Sequence, residues 1–440
     1  MSLSMAQSSS MGPASLVGAA RSHTLLLATM VAGSLLLYAY ATARNGHTFR
    51  SVDGYLYYTY AHSWYFDGDC DYENNMRLAP GFTAHEHFLQ RSSIGRVRNI
   101  MPCAWSVIAL PFLAIADGLT IAHNAVAGTN IARDGYTGYY RAIVPLPHVL
   151  IGTAGLLVIY AILASRFSKY IAAVATVLAW CGTNVIYWIS FEPTRSHAAS
   201  LAFVAGTIWT ADTIRRSGWS WRRALALGAC CGMMGAVRHQ NVAWMAVPII
   251  LLAPSMASGV LGRRLGSLRD VGLAALGALI AVLCFLPQFI STWVTERMLI
   301  GHTTHWAPHW FKPHFLQEFF HRSTGLVSSY PLAGVALVGV LIYAYRTRRR
   351  AFPLAAVAGF AAIAYLNACR WDCHRVRRYV CCVTVFALGL AAILEWASRS
   401  RRRTVAVAVV LGALCARNIA VFLGGASPFP AWISLALPGS

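Results

Sequence analysis

The first residues with chemical promise form an aromatic stretch opened by an acid. It runs Ser51-Val52-Asp53-Gly54-Tyr55-Leu56-Tyr57-Tyr58 and continues through Thr59, Tyr60, Ala61, His62, Ser63, Trp64 and Tyr65. A carboxylate held beside a membrane can take the proton of an attacking hydroxyl. It can equally cap the helix that it opens, and position alone leaves both roles open for Asp53. The density of Tyr and Trp suits a helix lying at the level of the lipid headgroups.

Asp67, Asp69, Asp71 and Glu73 alternate just beyond it. Such a cluster offers oxygen ligands to a hard cation, Mg²⁺ or Mn²⁺, with Asp69 and Asp71 foremost. It lacks the glycine and terminal glutamate placement of a calcium loop, and a solvated acidic turn explains it as well. Further on, His302, His305, Trp306, His309, Trp310, His314 and His321 crowd one segment. Their spacing matches no H-E-x-x-H zinc pattern, and a mixed His/Trp loop also fits contact with sugars or headgroups. Cys369 and Cys373 allow a loop disulfide, or a zinc site if His374 joined them. Most other cysteines lie in apolar runs, where Cys behaves as a small hydrophobe.

The elements that position these groups are membrane spans. The 440 residues are 57% hydrophobic and 12% charged, half the charge of an ordinary soluble domain. Apolar runs near spanning length recur at 25–40, 142–164, 170–189, 271–293, 331–345, 352–366, 380–396 and 405–422. The net charge of +21 would suit nucleic acid, but the arginines cluster between the apolar runs. Arg215, Arg216, Arg222, Arg223, Arg263, Arg264, Arg346–Arg350 and Arg399–Arg403 read instead as the positive-inside signal. Nucleic acid is therefore not an expected partner.

With those arginines in the cytoplasm, segments 43–99, 191–197, 238–240, 294–330 and 369–378 share the opposite face. Met101–His123 must then not complete a single crossing, and an interfacial or re-entrant hairpin broken at Pro102 and Pro111 is expected; the alternative is that it spans and the positive-inside rule fails at one loop. The expected fold is an all-α polytopic membrane helix bundle of about 11–13 spans with interfacial helices in the first outer loop. A disordered tail over 1–22 precedes a membrane domain over 23–424, which has large outer loops at 43–99 and 294–330. A tail over 425–440 follows. Ala41-Thr42-Ala43 resembles a signal-peptidase site, but an uncleaved first span is the expectation.

Four stretches resemble the multi-pass glycosyltransferases of the GT-C fold, and more narrowly the bacterial relatives of dolichyl-phosphate-mannose protein mannosyltransferases. Asp53-Gly54-Tyr55 with Tyr57-Tyr58 looks like that family's acidic first outer loop. Asn99-Ile100-Met101-Pro102 through Leu110-Pro111-Phe112 is similar to the segment closing it. Arg322-Ser323-Thr324-Gly325-Leu326 through Tyr330-Pro331-Leu332 resembles its Gly-Leu…Pro-Leu stretch. Trp371-Asp372 followed by Arg377-Arg378-Tyr379 looks like its Trp…Arg-Tyr outer loop, and His197 after Glu192-Pro193 fits too. Departures are the missing second acid beside Asp53 and the absence of a soluble acceptor domain after the spans.

The resemblance implies transfer of a sugar from a polyprenyl-phosphate donor to an acceptor hydroxyl, with inversion, outside the cytoplasm of a bacterial inner membrane. It implies Asp53 as the base and substrate contacts at Tyr57, Glu192, His197, Arg238, Trp371, Arg377 and Arg378. The arginines would hold the leaving phosphate. The competing class is a polytopic transporter or lipid-linked sugar flippase. That class wants charges within spans, whereas the interior acids here, Asp117 and Asp212, stand close to expected span ends.

Overall fold

The computed structural model describes residues 13–45, 49, 51–78, 89–261, 265–301, 309–322, 324–347, 350–370 and 376–423. Helix α1 (Pro13–Asn45) starts within the expected tail, so the backbone is already helical before residue 23. Next come α2 (Val52–His62), a π turn over Ser63–Asp67, α3 (Glu73–Leu78), α4 (Ala104–Ala127) and α5 (Tyr139–Ile143). The apolar runs then fold as α6 (Leu146–Ala164), α7 (Lys169–Gly182), α8 (His197–Ser217), α9 (Trp221–Val237) and α10 (Ala246–Leu261). α11 (Leu265–Leu283) bends by 42° into α12 (Leu286–Glu296). Short α13 (Phe315–Phe320) and α14 (Leu326–Ser329) lead to α15 (Pro331–Arg346), α16 (Ala351–Ala368), α17 (Val383–Ala397) and α18 (Arg401–Leu423). No strand occurs among the described residues.

Lipid offers no partner to backbone amides and carbonyls, so apolar runs of this length must satisfy themselves as helices. Among the described residues six helices are long and apolar enough to cross a membrane, or seven with the bent α11–α12 pair counted once. α7, α9, α10 and α15 are shorter and complete the bundle. Small residues set how closely the helices approach. At the α15–α17 crossing, a Cβ on Gly389 would strike the Ala336 carbonyl, and one on Gly339 the Gly389 carbonyl.

α4 corrects the expected hairpin. It is continuous, with Pro111 inside it, while Pro102 lies before its start. Its length and composition suit a crossing, and its first half is tied to the first outer segment. Trp105, Ala109, Leu113 and Ala116 pack in one cluster with Leu56, Tyr57, Tyr58 and Tyr60 of α2. Near its middle, Asp117 pairs with Arg133 at 2.7 Å and accepts from Tyr65 at 3.1 Å and from Tyr140 at 2.6 Å. The following chain returns, because Tyr58 donates to the Gly135 carbonyl at 2.8 Å. α4 therefore packs along α2 with Val107, Ile115, Leu119 and Ile121 exposed on its other side. The expected breaks are absent, and α4 has the length and composition of a crossing helix.

The two ends of the bundle differ in charge. At one end Asp212, buried, gathers Arg166, Arg215 at 2.8 Å and Arg216 at 3.1 Å, and Arg166 lies over the Phe352 ring at 3.5 Å. The opposite end collects the loops expected to share a face. His309 and His314 donate backbone N–H groups to the carbonyls of Cys369 and Ala368 at 2.7 and 2.9 Å. Cys103 N–H reaches Gln288 at 2.8 Å, and Tyr72 meets Ser291 at 2.7 Å.

Two single-cysteine variants in a cysteine-free background check this division. Cysteines at positions 69 and 402 are expected to label with an impermeant thiol reagent from opposite sides of sealed vesicles. Labelling of both from one side would overturn the two-ended arrangement.

Candidate functional site

The site grows from the start of α2. Ser51 caps that helix, its Oγ accepting from Gly54 N–H at 3.2 Å. Capping is thus supplied two residues before Asp53, and the simple alternative for Asp53 falls away. Asp53 sits in the first turn and is clasped by two guanidinium groups. Arg377 Nη1 reaches its Oδ2 at 2.6 Å, and Arg195 Nη1 reaches the same oxygen at 3.1 Å. Three segments far apart in sequence therefore meet at one carboxylate.

Arg195 belongs to the turn between a π segment (Tyr187–Phe191) and α8. Its Nε donates to Glu192 Oε1 at 2.6 Å and to Ser51 Oγ at 3.0 Å, and its guanidinium faces the Trp188 ring at 5.2 Å. Burial works against its charge, but Glu192 and Asp53 outweigh burial and hold its pKa above the ordinary arginine value. Glu192 is buried and also accepts from Tyr187 at 3.0 Å. A missing side chain makes this seating possible. A Cβ on Gly54 would lie 2.7 Å from Thr194 Oγ1, so only glycine lets α2 rest on the turn that carries Arg195.

Arg238 follows α9 and donates to His197 Nδ1 at 3.0 Å, which makes that nitrogen an acceptor. Burial lowers the pKa of Arg238, and the like charge of Arg377 adds to this while Asp53 opposes it. Tyr57, one helical turn after Asp53, accepts from Ser196 Oγ at 2.9 Å. Arg238 and Tyr57 together line a cavity of about 730 Å³. Ile100, Met101, Pro102, Val242, Ala243 and Leu366 give it apolar walls; His239, Gln240, Asn367 and Arg370 give it polar ones. Burial lowers the pKa of Arg370.

The structure therefore brings together Asp53, Tyr57, Glu192, His197, Arg238 and Arg377. Arg378 is buried close by, its charge acting among those of Arg370, Arg238 and Glu318 and on His197. Trp371, Cys373 and His374 lie outside the described residues, as do His302, His305 and Trp306. Arg195 escaped the sequence reading, although it stands between Glu192 and His197, which were singled out. The test that chose Arg238, an arginine at the outer end of a span, would have found it.

Asp69 and Asp71 are elsewhere and otherwise engaged. Asp69 Oδ1 accepts from Ser63 Oγ at 2.8 Å and from Asp71 N–H at 3.0 Å; Asp71 Oδ1 accepts from Glu73 N–H at 3.2 Å. The α2 helix separates them from Asp53 by about 15 Å at 1.5 Å per residue. No group of three or more His, Cys, Asp or Glu side chains is placed to hold a metal among the described residues. These two carboxylates, committed to their own turn, fit a divalent ion poorly. The acids that could have marked a transport path are also occupied, Asp117 by Arg133 with Tyr65 and Tyr140, and Asp212 by a cluster of arginines.

No family model matches the chain, and no curated protein matches its sequence. Solved structures match its fold. ArnT from Cupriavidus metallidurans bound to undecaprenyl phosphate superposes with a TM-score of 0.51 at 14% identity, over 91% of this chain and 64% of that one. The same protein in the apo state gives 0.53 at 14% identity, over 89% and 63%. The oligosaccharyltransferase of Archaeoglobus fulgidus in the apo form gives 0.50 at 11% identity, over 90% and 56%. The chain thus spans less than two thirds of the length of these structures. Its helices have the GT-C fold that the sequence resemblance implied.

Gly54→Ala tests the seating of α2. Overpacking of this kind typically costs about 1–3 kcal/mol. The denaturation midpoint is expected to fall accordingly, and an unchanged midpoint would show that α2 does not rest on Thr194.

Proposed function

We propose that the chain is a membrane glycosyltransferase that moves a sugar from a polyprenyl-phosphate donor to an acceptor hydroxyl. One observation carries the reading: a cavity with apolar walls meets a cluster of arginines beside a carboxylate. Such a cavity suits a ligand that is apolar at one end and phosphorylated at the other. The bound undecaprenyl phosphate of the ArnT structure supports the same chemistry. The polyprenyl tail would run along Ile100, Met101, Val242 and Leu366. Arg238, with Arg377, would take the phosphate. Tyr57, His239, Gln240, Asn367 and Trp310 line the same cavity and would face the sugar. Glu192 and His197 would orient Arg195 and Arg238, and Arg378 would add its charge beside Arg238 and Arg370. The basic end of the bundle would face the cytoplasm of a bacterial inner membrane, with the site on the outer side.

The reaction forms a bond between the acceptor oxygen and the anomeric carbon and breaks the bond from that carbon to the phosphate oxygen. The lipid phosphate leaves with the electron pair, and the centre inverts. The hydroxyl proton goes to Asp53. A carboxylate held by two guanidinium groups is a weak base, because both pairs favour its ionised form. An arriving phosphate competes for Arg377 and Arg195. As they turn to the donor, Asp53 regains basicity, so the base is activated only when the donor is in place. The developing charge on the leaving phosphate is met by the same cations. No step requires a metal; Asp69 and Asp71 remain the ligands to test if one takes part.

The experiment follows release of polyprenyl phosphate from a panel of lipid-phosphate sugars by the purified protein. Asp53→Asn is expected to slow transfer by about 10²–10⁴-fold while donor binding is kept or tightened, because two guanidinium groups are released. Arg238→Ala is expected to weaken donor binding, with poor rescue by Lys. Near-normal turnover by Asp53→Asn would sink the base assignment. Release by neither the wild type nor any variant, across the panel, would sink the transferase reading. Activity is expected to persist in chelator; a loss restored by Mg²⁺ would return Asp69 and Asp71 to the site.

A further inference from the structure

A second cavity, of about 470 Å³, opens at the basic end of the bundle, far from Asp53. One wall is a single face of α15, made by Gly339, Ile342, Tyr343, Arg346 and Thr347. The other is a single face of α17, made by Ala392, Ile393, Glu395, Trp396 and Arg399. The close crossing at Gly339 and Gly389 pins the two helices together at the floor, and the gap opens toward their C-terminal ends. Gly339, Ile342, Ala392 and Ile393 make that floor apolar. Tyr343 and Trp396 stand at the mouth, where aromatic side chains sit at the headgroup level.

The charges at the mouth decide what fits. Arg346 and Arg399 face the gap, one from each wall, against the single carboxylate of Glu395. Among the described residues neither guanidinium has an ion pair or hydrogen bond. Arg403 stacks on Trp396 at 4.8 Å and adds a further cation beside the mouth. We propose that this cavity is a binding site for an anionic glycerophospholipid of the surrounding leaflet. Its phosphate lies between Arg346 and Arg399, and an acyl chain fills the apolar floor between α15 and α17. Basic clefts between membrane helices hold lipid headgroups in this way. The site is independent of sugar transfer and shares no residue with the Asp53 cavity.

The test uses the full chain in detergent with phosphatidylglycerol or phosphatidylcholine added, reading retained lipid by native mass spectrometry and the thermal midpoint. The wild type is expected to retain phosphatidylglycerol and gain stability from it, and not from phosphatidylcholine. In the Arg346→Gln/Arg399→Gln double variant, apparent affinity is expected to fall roughly tenfold or more. Ala392→Phe, which fills the floor without altering charge, is expected to lower retention as well. Arg401→Gln/Arg402→Gln removes equal charge outside the cavity and is expected to change little. Equal loss in that control pair would reduce the effect to general surface charge and overturn the site. Wild-type retention in either cavity variant would overturn it too.

Discussion

The architecture depends on one carboxylate shared by two arginines. Asp53 is 324 residues from Arg377, and its oxygen is the point where the start of α2, the turn before α8 and the short 3-10 segment before α17 converge. Partly withdrawn from water, each of these cations would be costly without that anion, and the anion would be costly without them. Ser51 reinforces the junction by using one hydroxyl oxygen twice, accepting from the α2 backbone and from Arg195. The outer ends of several helices are thus located relative to one another by charge, whereas small residues locate their interiors.

The opposite end solves a similar problem differently. Asp212 collects three arginines, two from α8 and one from the turn after α6, and Phe352 covers one of them. Here one acid neutralises an excess of cations and closes the face, leaving the remaining arginines to the headgroup region. At the Asp53 end the excess is left open to a cavity. The two clusters differ less in the number of charges than in whether a cavity opens onto them.

Much of this was legible in sequence because lipid imposes simple rules. Apolar run length gave the helices, and arginine placement gave the two faces. The same logic required that 101–123 make no single crossing. It could not show that the run stays one helix, because proline in a helix is tolerated where neighbouring elements hold it, as the α2 cluster holds α4 through Trp105, Ala109 and Leu113. Asp53, Arg238 and Arg377 were found from their positions at span ends. Arg195 stands at the same kind of position and was passed over; what sequence alone could not show is that it meets Ser51 and Asp53, more than a hundred residues away. Asp69 and Asp71 looked like ligands because spacing records which residue types are near, and not that their oxygens are already taken by Ser63 and backbone amides.

The apolar outer side of α4 carries a further consequence. Val107, Ile115, Leu119 and Ile121 seek hydrocarbon, while the other side of the helix is fused to α2. α4 and α2 therefore move in lipid as one body. In a thicker or thinner bilayer, helices relieve the mismatch by tilting. A tilt of α4 carries Asp53 with it, because α2 shares its packing cluster.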